Sequence, residues 1–273
     1  VTADGKSLGK FYLDENRTPI KFKDLPKHLV DALIATEDER FYEHSGIDIR
    51  GTIRAMVYLG SKGGASTISQ QLAKQLFHKE KTRGIARYTQ KIKEWIIATR
   101  LEKQYTKEEI LTMYFNIYDF NNNADGIRSA AKIYFDKEPK QLKIEEGAML
   151  VGMFKNSALY NPVKNKEGVT NRRNVVLAQM AKNNYITQEE KDSLQKLPLK
   201  IKFTPESHND GLATYFREYL RTYMKTWIEN NPKPDGTKHN LYLDGLKVYT
   251  TIDSKMQAYA EAAVKAHMQR LQK

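Results

Sequence analysis

Residues 105–116, YTKEEILTMYFN, carry the tightest folding constraint in the chain. Thr106 followed three residues later by Glu109 is a capping-box pattern. The hydroxyl takes a backbone N–H at the helix start, and the carboxylate returns to the cap's own N–H. Tyr105 and Ile110 are spaced to staple the entry. Similar starts recur. Thr67-x-x-Gln70 opens GASTISQQLAKQLF after a Gly63-Gly64 turn, and KDLPKHLVDALIATED offers Asp24 as N-cap with Pro26 in the first turn. QKIKEWIIATRLEKQ, ADGIRSAAKIYF, KIEEGAMLVGMF, NRRNVVLAQMAKN and TQEEKDSLQKL are further helical stretches. Residues 24 to about 195 therefore predict a mainly α fold. Trp95 to Thr99 is apolar nearly all round, which predicts a buried helix.

The ends read differently. Residues 1–23 alternate weakly between turn signals at Asp4-Gly5 and Asn16-Arg17, as two short strands would. GLKVYTTID (245–253) reads as a strand, and SKMQAYAEAAVKAHMQRLQK as a terminal amphipathic helix. Residues 1–13 are expected to pair with 245–252 as a small β element. Between them, 201–245 is mixed and rich in Tyr, Asn, Pro and Gly. The opening lacks an initiator Met, so the chain is expected to be a piece of a longer one.

Composition narrows the chemistry. A chain of 273 residues that is 40% hydrophobic can bury a real core. The net charge of +12 favours an anionic partner: nucleic acid, an acidic membrane surface or a phosphorylated substrate. With no cysteine there is neither a disulfide framework nor a thiolate metal site. No apolar run reaches about 18 residues, so no helix of this sequence is built to span a bilayer. No His-x-x-x-His pair suggests zinc, and no Gly-x-Ser-x-Gly elbow appears. NRRN (171–174) and KNKEG suit phosphate contact, but no nucleic-acid motif accompanies them.

Three stretches could do chemistry. In ATEDERFYEHSGID (35–48), a continuing helix would align Glu37, Phe41 and His44 on one face with Leu33. A carboxylate on such a stripe is partly desolvated, which suits a general base or acid. The alternative is a helix-end carboxylate paired with Arg40 or His44. Glu94 points from a polar rim, Gln90 and Lys91, toward Ile97, Ala98 and Leu101; a surface pair with Lys91 or Lys93 is the plainer reading. GGASTISQQLAK runs a glycine turn into a helix N-terminus, whose N–H groups and dipole suit a phosphate or pyrophosphate. It is no Walker A loop, and an ordinary capped helix explains it equally. Lys74, Arg83, Arg87, Lys91 and Lys93 are the basic residues that could join it.

Taken together, ATEDERFYEHSGID, GASTISQQLAKQLF, QKIKEW, KEEILTMYFN and GMFKNSALYNPVKN…NRRNVVLAQM resemble, in order, the five motifs of the peptidoglycan glycosyltransferases. That family forms the first extracytoplasmic domain of bifunctional class A penicillin-binding proteins. The resemblance covers about residues 25–195. It implies a mainly α, lysozyme-like fold, with 1–24 as a β segment after a membrane anchor, 25–200 as the glycosyltransferase domain, and 201–273 as a linker toward a transpeptidase domain. It implies polymerisation of lipid II into β-1,4 glycan strands, with inversion at the anomeric carbon and release of undecaprenyl diphosphate. The implied partners are lipid II, the lipid-linked growing glycan, the membrane surface, the transpeptidase domain and other cell-wall synthesis proteins, with no nucleic acid. The implied location is the extracytoplasmic face of the cell membrane. No tightly bound cofactor is expected, but a divalent cation, Mg or Mn, could act transiently near Glu94.

The resemblance also assigns roles. Glu37 matches the catalytic Glu and would be the general base on the acceptor hydroxyl. Glu94 matches the second family Glu and would position substrate or help the pyrophosphate depart. Asp38, Phe41 and His44 would shape the cleft. Ser66, Thr67, Gln70, Gln71 and Lys74, with Arg54, Lys91 and Lys93, would hold pyrophosphate and sugar. Asn116 and Lys155 match later motifs with structural roles. The third motif usually reads Arg-Lys-x-x-Glu, and here its Arg position is Gln90, for which Arg87 could substitute. Ala86 stands where a basic residue is frequent, and Thr112 where a Glu is common. A glycan hydrolase or lytic transglycosylase would share the carboxylates but needs no pyrophosphate clamp. A non-catalytic polyanion-binding or scaffold module would be indifferent to Glu37.

Overall fold

The computed structural model describes residues 1–8, 19–57, 66–77, 85–204, 212–234, 236–241 and 244–272. The chain divides into two compact units, residues 16–205 and residues 1–15 with 206–273. Each described element of any length is a helix, and the fold is mainly α as the sequence predicts.

Among the described residues, the larger unit holds nine α-helices: α1 (Lys27–Glu37), α2 (Ile49–Val57), α3 (Ile68–Phe77), α4 (Ile85–Gln104), α5 (Lys107–Ile117), α6 (Gly126–Phe135), α7 (Ile144–Met153), α8 (Lys166–Lys182) and α9 (Gln188–Lys196). Local chemistry sets several boundaries. α5 starts with the expected reciprocal box between Thr106 and Glu109, and Thr187 with Glu190 does the same for α9. α8 begins before the expected NRRN, because the Asn165 side chain accepts from the Gly168 N–H. α1 is capped differently from expectation. Asp24 lies in a short 3-10 turn (Phe22–Asp24) paired with Lys140, and Pro26 is the N-cap.

α1 packs on α7 and α8, which pack on each other, while α3 joins α4 and α5. Leu29, Leu33, Ile34, Ile110, Leu111, Phe115, Leu150, Val151, Val176 and Leu177 fill the centre. Phe154 is a second hub. Its ring lies 4.8 Å from Tyr114, 4.3 Å from Tyr118 and 5.2 Å from Phe120, fixing the end of α5 against the end of α7. The loop after α5 carries Asn121, Asn122 and Asn123 at positive φ, a conformation Asn tolerates better than most residues. The Asn122 amide donates to the Tyr134 hydroxyl, 3.0 Å.

α4 departs from its expectation. Its buried line is Gln90, Glu94, Ala98 and Leu101, whereas Tyr88, Ile92 and Ile96 face solvent. Trp95 to Thr99 is therefore not enclosed.

The second unit contains α10 (Thr214–Asn230) and α11 (Ser254–Leu271). α10 falls in the stretch the sequence leaves as mixed. A small cluster of Met224, Ile228 and Leu241 is its core. The expected strands do not form among the described residues. Val1 N donates to Val248 O (2.6 Å), Thr250 N to Val1 O (2.9 Å) and Ala3 N to Ile252 O (2.9 Å), and the pairing stops there. The reason is local. Gly5 N turns back to Thr2 O, and the Asp4 carboxylate accepts from Ser254 N and Oγ at the start of α11. Most of the second expected strand, Asn16-Arg17 included, lies outside the described residues, as does the Gly63-Gly64 turn.

Candidate active site

α1 ends at Glu37 because Asp38 leaves helical geometry (φ −160°, ψ 74°) and turns its carboxylate inward. That carboxylate accepts from Ile68 N at 3.0 Å, the first N–H of α3, and from His44 Nε2 at 3.1 Å. Gly46 N donates to His44 Nδ1 at 3.2 Å, which puts the imidazole proton on Nε2. Phe41 and His44 thus sit in a turn after the helix, not on its extended face. Gly46 takes φ +96°, and a Cβ there would lie 2.9 Å from the Ala98 backbone, so only glycine fits between this loop and α4. Thr67 Oγ donates to Gly46 O at 2.7 Å and accepts from Gln70 N at 3.1 Å, while Gln70 Nε2 reaches Gly46 O at 3.5 Å. The N-terminus of α3 therefore uses its Ile68 and Gln70 N–H groups inside the protein and does not offer them to a phosphate.

Glu37 itself lies at the end of a relay. Tyr114 OH donates to Gln71 Oε1 at 2.7 Å, so Gln71 presents its Nε2 to Glu37 Oε2, 3.0 Å away. Burial, with Glu37 nearby, pushes the Tyr114 hydroxyl well above the usual phenol range, so it stays a donor. Arg172 Nη2 lies 3.6 Å from Glu37 Oε1, with Nε donating to Gly152 O at 3.3 Å. Gly152 leaves that room; a Cβ would come within 3.0 Å of Arg172 Cγ. Both side chains of the pair are largely buried, 12% and 14% exposed. The sequence reading marks 171–174 only for phosphate contact and misses Arg172 as the neighbour of Glu37. Its one signal is a basic residue one turn along from the buried Val169 face.

A second cluster forms around Glu94. Lys91 Nζ donates to Glu94 Oε2 (3.1 Å) and to Ser66 Oγ (2.9 Å), and Gln90 Nε2 approaches Glu94 Oε1 (3.4 Å). Gln90, in the Arg position of the third motif, is thus a direct neighbour of the second glutamate. The Glu94 carboxylate is 6% exposed while Lys91 is 39% exposed. α3, with the residues just before it, links the two clusters: Ser66 meets one and Gln71 the other.

The remaining expected residues are placed as follows. Lys74 and Lys93 are exposed on α3 and α4. Arg54 pairs with Glu39 at 3.3 Å, and Glu39 also accepts from Lys182. The Arg87 side chain lies outside the described residues. Phe41 has no exposed surface, and Asp38, Thr67 and Gln70 are buried. All four are enclosed where the 38–46 loop packs on the start of α3.

A transient divalent cation at Glu94 finds little support in the donor set. The carboxylate already faces an ammonium and an amide, and no group of three His, Asp or Glu side chains suited to a metal exists among the described residues. No described helix is long and apolar enough to cross a membrane. α2 nevertheless exposes Ile49, Ile53 and Val57 at four-residue spacing, as α4 exposes Tyr88, Ile92 and Ile96. Val57 closes the line on α2; Tyr58, Leu59 and the Met56 side chain lie outside the described residues.

A family profile described as transglycosylase matches residues 4–181. Penicillin-binding protein 1A of Vibrio cholerae is 37% identical over 267 residues, 95% of this chain and 30% of that protein. Penicillin-binding protein 1F of Bacillus subtilis is 34% identical over 270 residues, 97% of this chain and 36% of that protein. The crystal structure of penicillin-binding protein 1A from Haemophilus influenzae aligns with a TM-score of 0.48 at 26% identity, over 96% of this chain and 28% of that one. The chain thus spans about a third of the length of its curated relatives. On the profile match, which covers well over half of its residues, this chain belongs to the transglycosylase family.

Proposed function

We propose that this chain is a peptidoglycan glycosyltransferase that extends a lipid-linked glycan with lipid II. The observation that carries the reading is the setting of Glu37, an enclosed carboxylate oriented by Gln71 and Arg172 and joined through α3 to the Ser66–Lys91–Glu94 cluster. In the reaction, the 4-hydroxyl of the acceptor GlcNAc gives its proton to Glu37. The freed oxygen attacks the anomeric carbon of the growing chain. The bond to the pyrophosphate breaks, and the undecaprenyl diphosphate leaves with the electron pair. Backside attack converts an α linkage into a β-1,4 bond in one displacement.

The leaving group gains charge as the bond breaks, so fixed cations lower the barrier. Lys91 is suited to this, being held by Ser66 and Glu94 yet partly open to solvent. Lys74 and Lys93 add positive potential from exposed positions on the neighbouring helices. Glu94 holds Lys91 in place. The exposed apolar lines of α2 and α4 would rest on the membrane that supplies both substrates, at its extracytoplasmic face. The transpeptidase domain and other wall-synthesis proteins are expected partners of the longer protein.

The test is incubation with labelled lipid II in detergent, with and without a divalent cation, followed by separation of products. Glu37→Gln is expected to fold normally and lower polymer formation about 10³-fold, the middle of the range for a general base. Shortened glycan in place of polymer, or a loss below about tenfold, would overturn the reading.

A further inference from the structure

Lys107 is the first residue of α5, yet its side chain serves none of α5's own bonds. Its Nζ lies 4.3 Å from the centroid of the Phe41 ring, donates to His44 O at 2.6 Å, and pairs with Glu102 Oε2 at 2.7 Å. Glu102, near the end of α4, also accepts from Ser69 Oγ on α3 at 2.5 Å. One ammonium therefore contacts the loop after Glu37 and the end of α4, and reaches α3 through Glu102. The Glu102 carboxylate is 4% exposed and Lys107 is 23% exposed, so the pair is screened little by water.

We propose that Lys107 is a positioning residue for glycosyl transfer, a charged pin that holds the 38–46 loop against α3 and so sets the angle at which Glu37 meets its substrate. The physics favours a cation here over an apolar side chain. Phe41 presents a ring face that attracts charge, and the ring is already out of water. The His44 carbonyl is an acceptor with no helix to satisfy it. Both lie on the segment whose Asp38 and Gly46 fix the entry to α3, the helix that presents Gln71 to Glu37.

Replacing Lys107 alone would strand Glu102 as a buried unpaired charge and endanger folding. The test is therefore the double variant Lys107→Met with Glu102→Gln, which keeps both lengths and leaves an amide oxygen at position 102 to accept from Ser69. Two readouts are needed. Amide hydrogen exchange reads the loop without reference to any reaction. Protection at Phe41, Glu43 and Gly46 is expected to fall at least about tenfold while the α7 and α8 amides keep theirs. Kinetics on lipid II then reads the consequence. This arm rests on the proposed transfer reaction: kcat is expected to fall about tenfold or more with KM within about threefold, and Lys107→Arg, tested singly, to retain most of the rate.

Wild-type protection in the loop would overturn the proposal, as would an unchanged kcat in the double variant. A KM change with constant kcat would also overturn it, because it would place Lys107 in substrate binding. If the unmodified chain makes no polymer, the proposed reaction fails by itself, and the exchange result still decides whether Lys107 pins the loop.

Discussion

α4 and α5 are consecutive helices of one unit, built on opposite plans. α5 buries Ile110, Leu111, Tyr114 and Phe115 and leaves Glu108 and Glu109 in water. α4 buries Gln90 and Glu94 and leaves Tyr88, Ile92 and Ile96 in water. Each isoleucine, left about half exposed, forgoes roughly 1 kcal/mol of burial. Enclosing a carboxylate costs several kcal/mol before any partner offsets it, by the order of magnitude known for buried ions. α5 is what a sequence selected for stability looks like. Under the proposed function, α4 would meet an anionic group beside Lys91 on its inner face and an apolar phase on its outer one. The difference separates the residues whose burial holds the fold from those whose placement the fold alone does not explain.

The strongest way to break this contrast is to make α4 ordinary. Glu94→Leu puts an apolar group on the buried line and frees Lys91, which is open enough to find water. The urea midpoint is expected to hold or rise, while polymer formation falls about 100-fold, as for loss of a group that orders the leaving-group cation. Retained turnover would make Glu94 a packing residue. Tyr114→Phe tests the α5 side of the same site. It removes the hydroxyl that fixes the Gln71 amide and leaves the ring stacked on Phe154. A loss of about tenfold in kcat is expected, with a stability cost near 1 kcal/mol for one hydrogen bond. An unchanged kcat would show that Gln71 holds its orientation unaided.

The same contrast explains what a sequence can and cannot tell. α5 is legible because cap, staple and apolar period agree in one short stretch. α4 is misread as buried because an apolar tally cannot say which face turns inward when the inward face is the polar one. Asp38 is legible as part of a motif, but its bond to Ile68 N spans 30 residues, and no local pattern reports it. That bond both ends α1 and fills the helix terminus that the sequence offers to a phosphate. Arg172 is hidden likewise, 135 residues from Glu37. α10 is missed because its Tyr and Thr content favours strands, although Leu220, Met224 and Ile228 keep helical spacing.

A third prediction addresses the outer face of α4. Ile92→Ser with Ile96→Ser is expected to leave the unfolding free energy from urea titration within about 0.5 kcal/mol of wild type, the usual range for exposed positions. Binding to vesicles of anionic lipid is expected to weaken about tenfold, from the apolar area withdrawn. Leu111→Ser on α5 should do the reverse, destabilising the protein by about 3 kcal/mol or more through a buried cavity and an unpaired hydroxyl. A destabilised α4 variant with undiminished vesicle binding would mean the stripe is core surface after all.

The smallest effect concerns the alkaline end of the stability curve. Tyr118 is the C-cap of α5, and its hydroxyl donates to Met153 O at 2.7 Å. Burial raises its pKa from 10.0 to about 12, with Glu37 pushing the same way and Ser157 opposing. The folded state thus favours the neutral phenol more than the unfolded chain does. That contribution is complete below pH 10 and is lost as pH rises toward 12, because the unfolded chain releases its proton first. The urea midpoint of the wild type should therefore decline across this interval. Tyr118→Phe lacks the ionisation, so its midpoint should start slightly lower near neutrality and fall less steeply above pH 10. Parallel declines in the two proteins would mean that α5 tolerates a charged Tyr118. Its buried side would then be as accommodating to charge as that of α4.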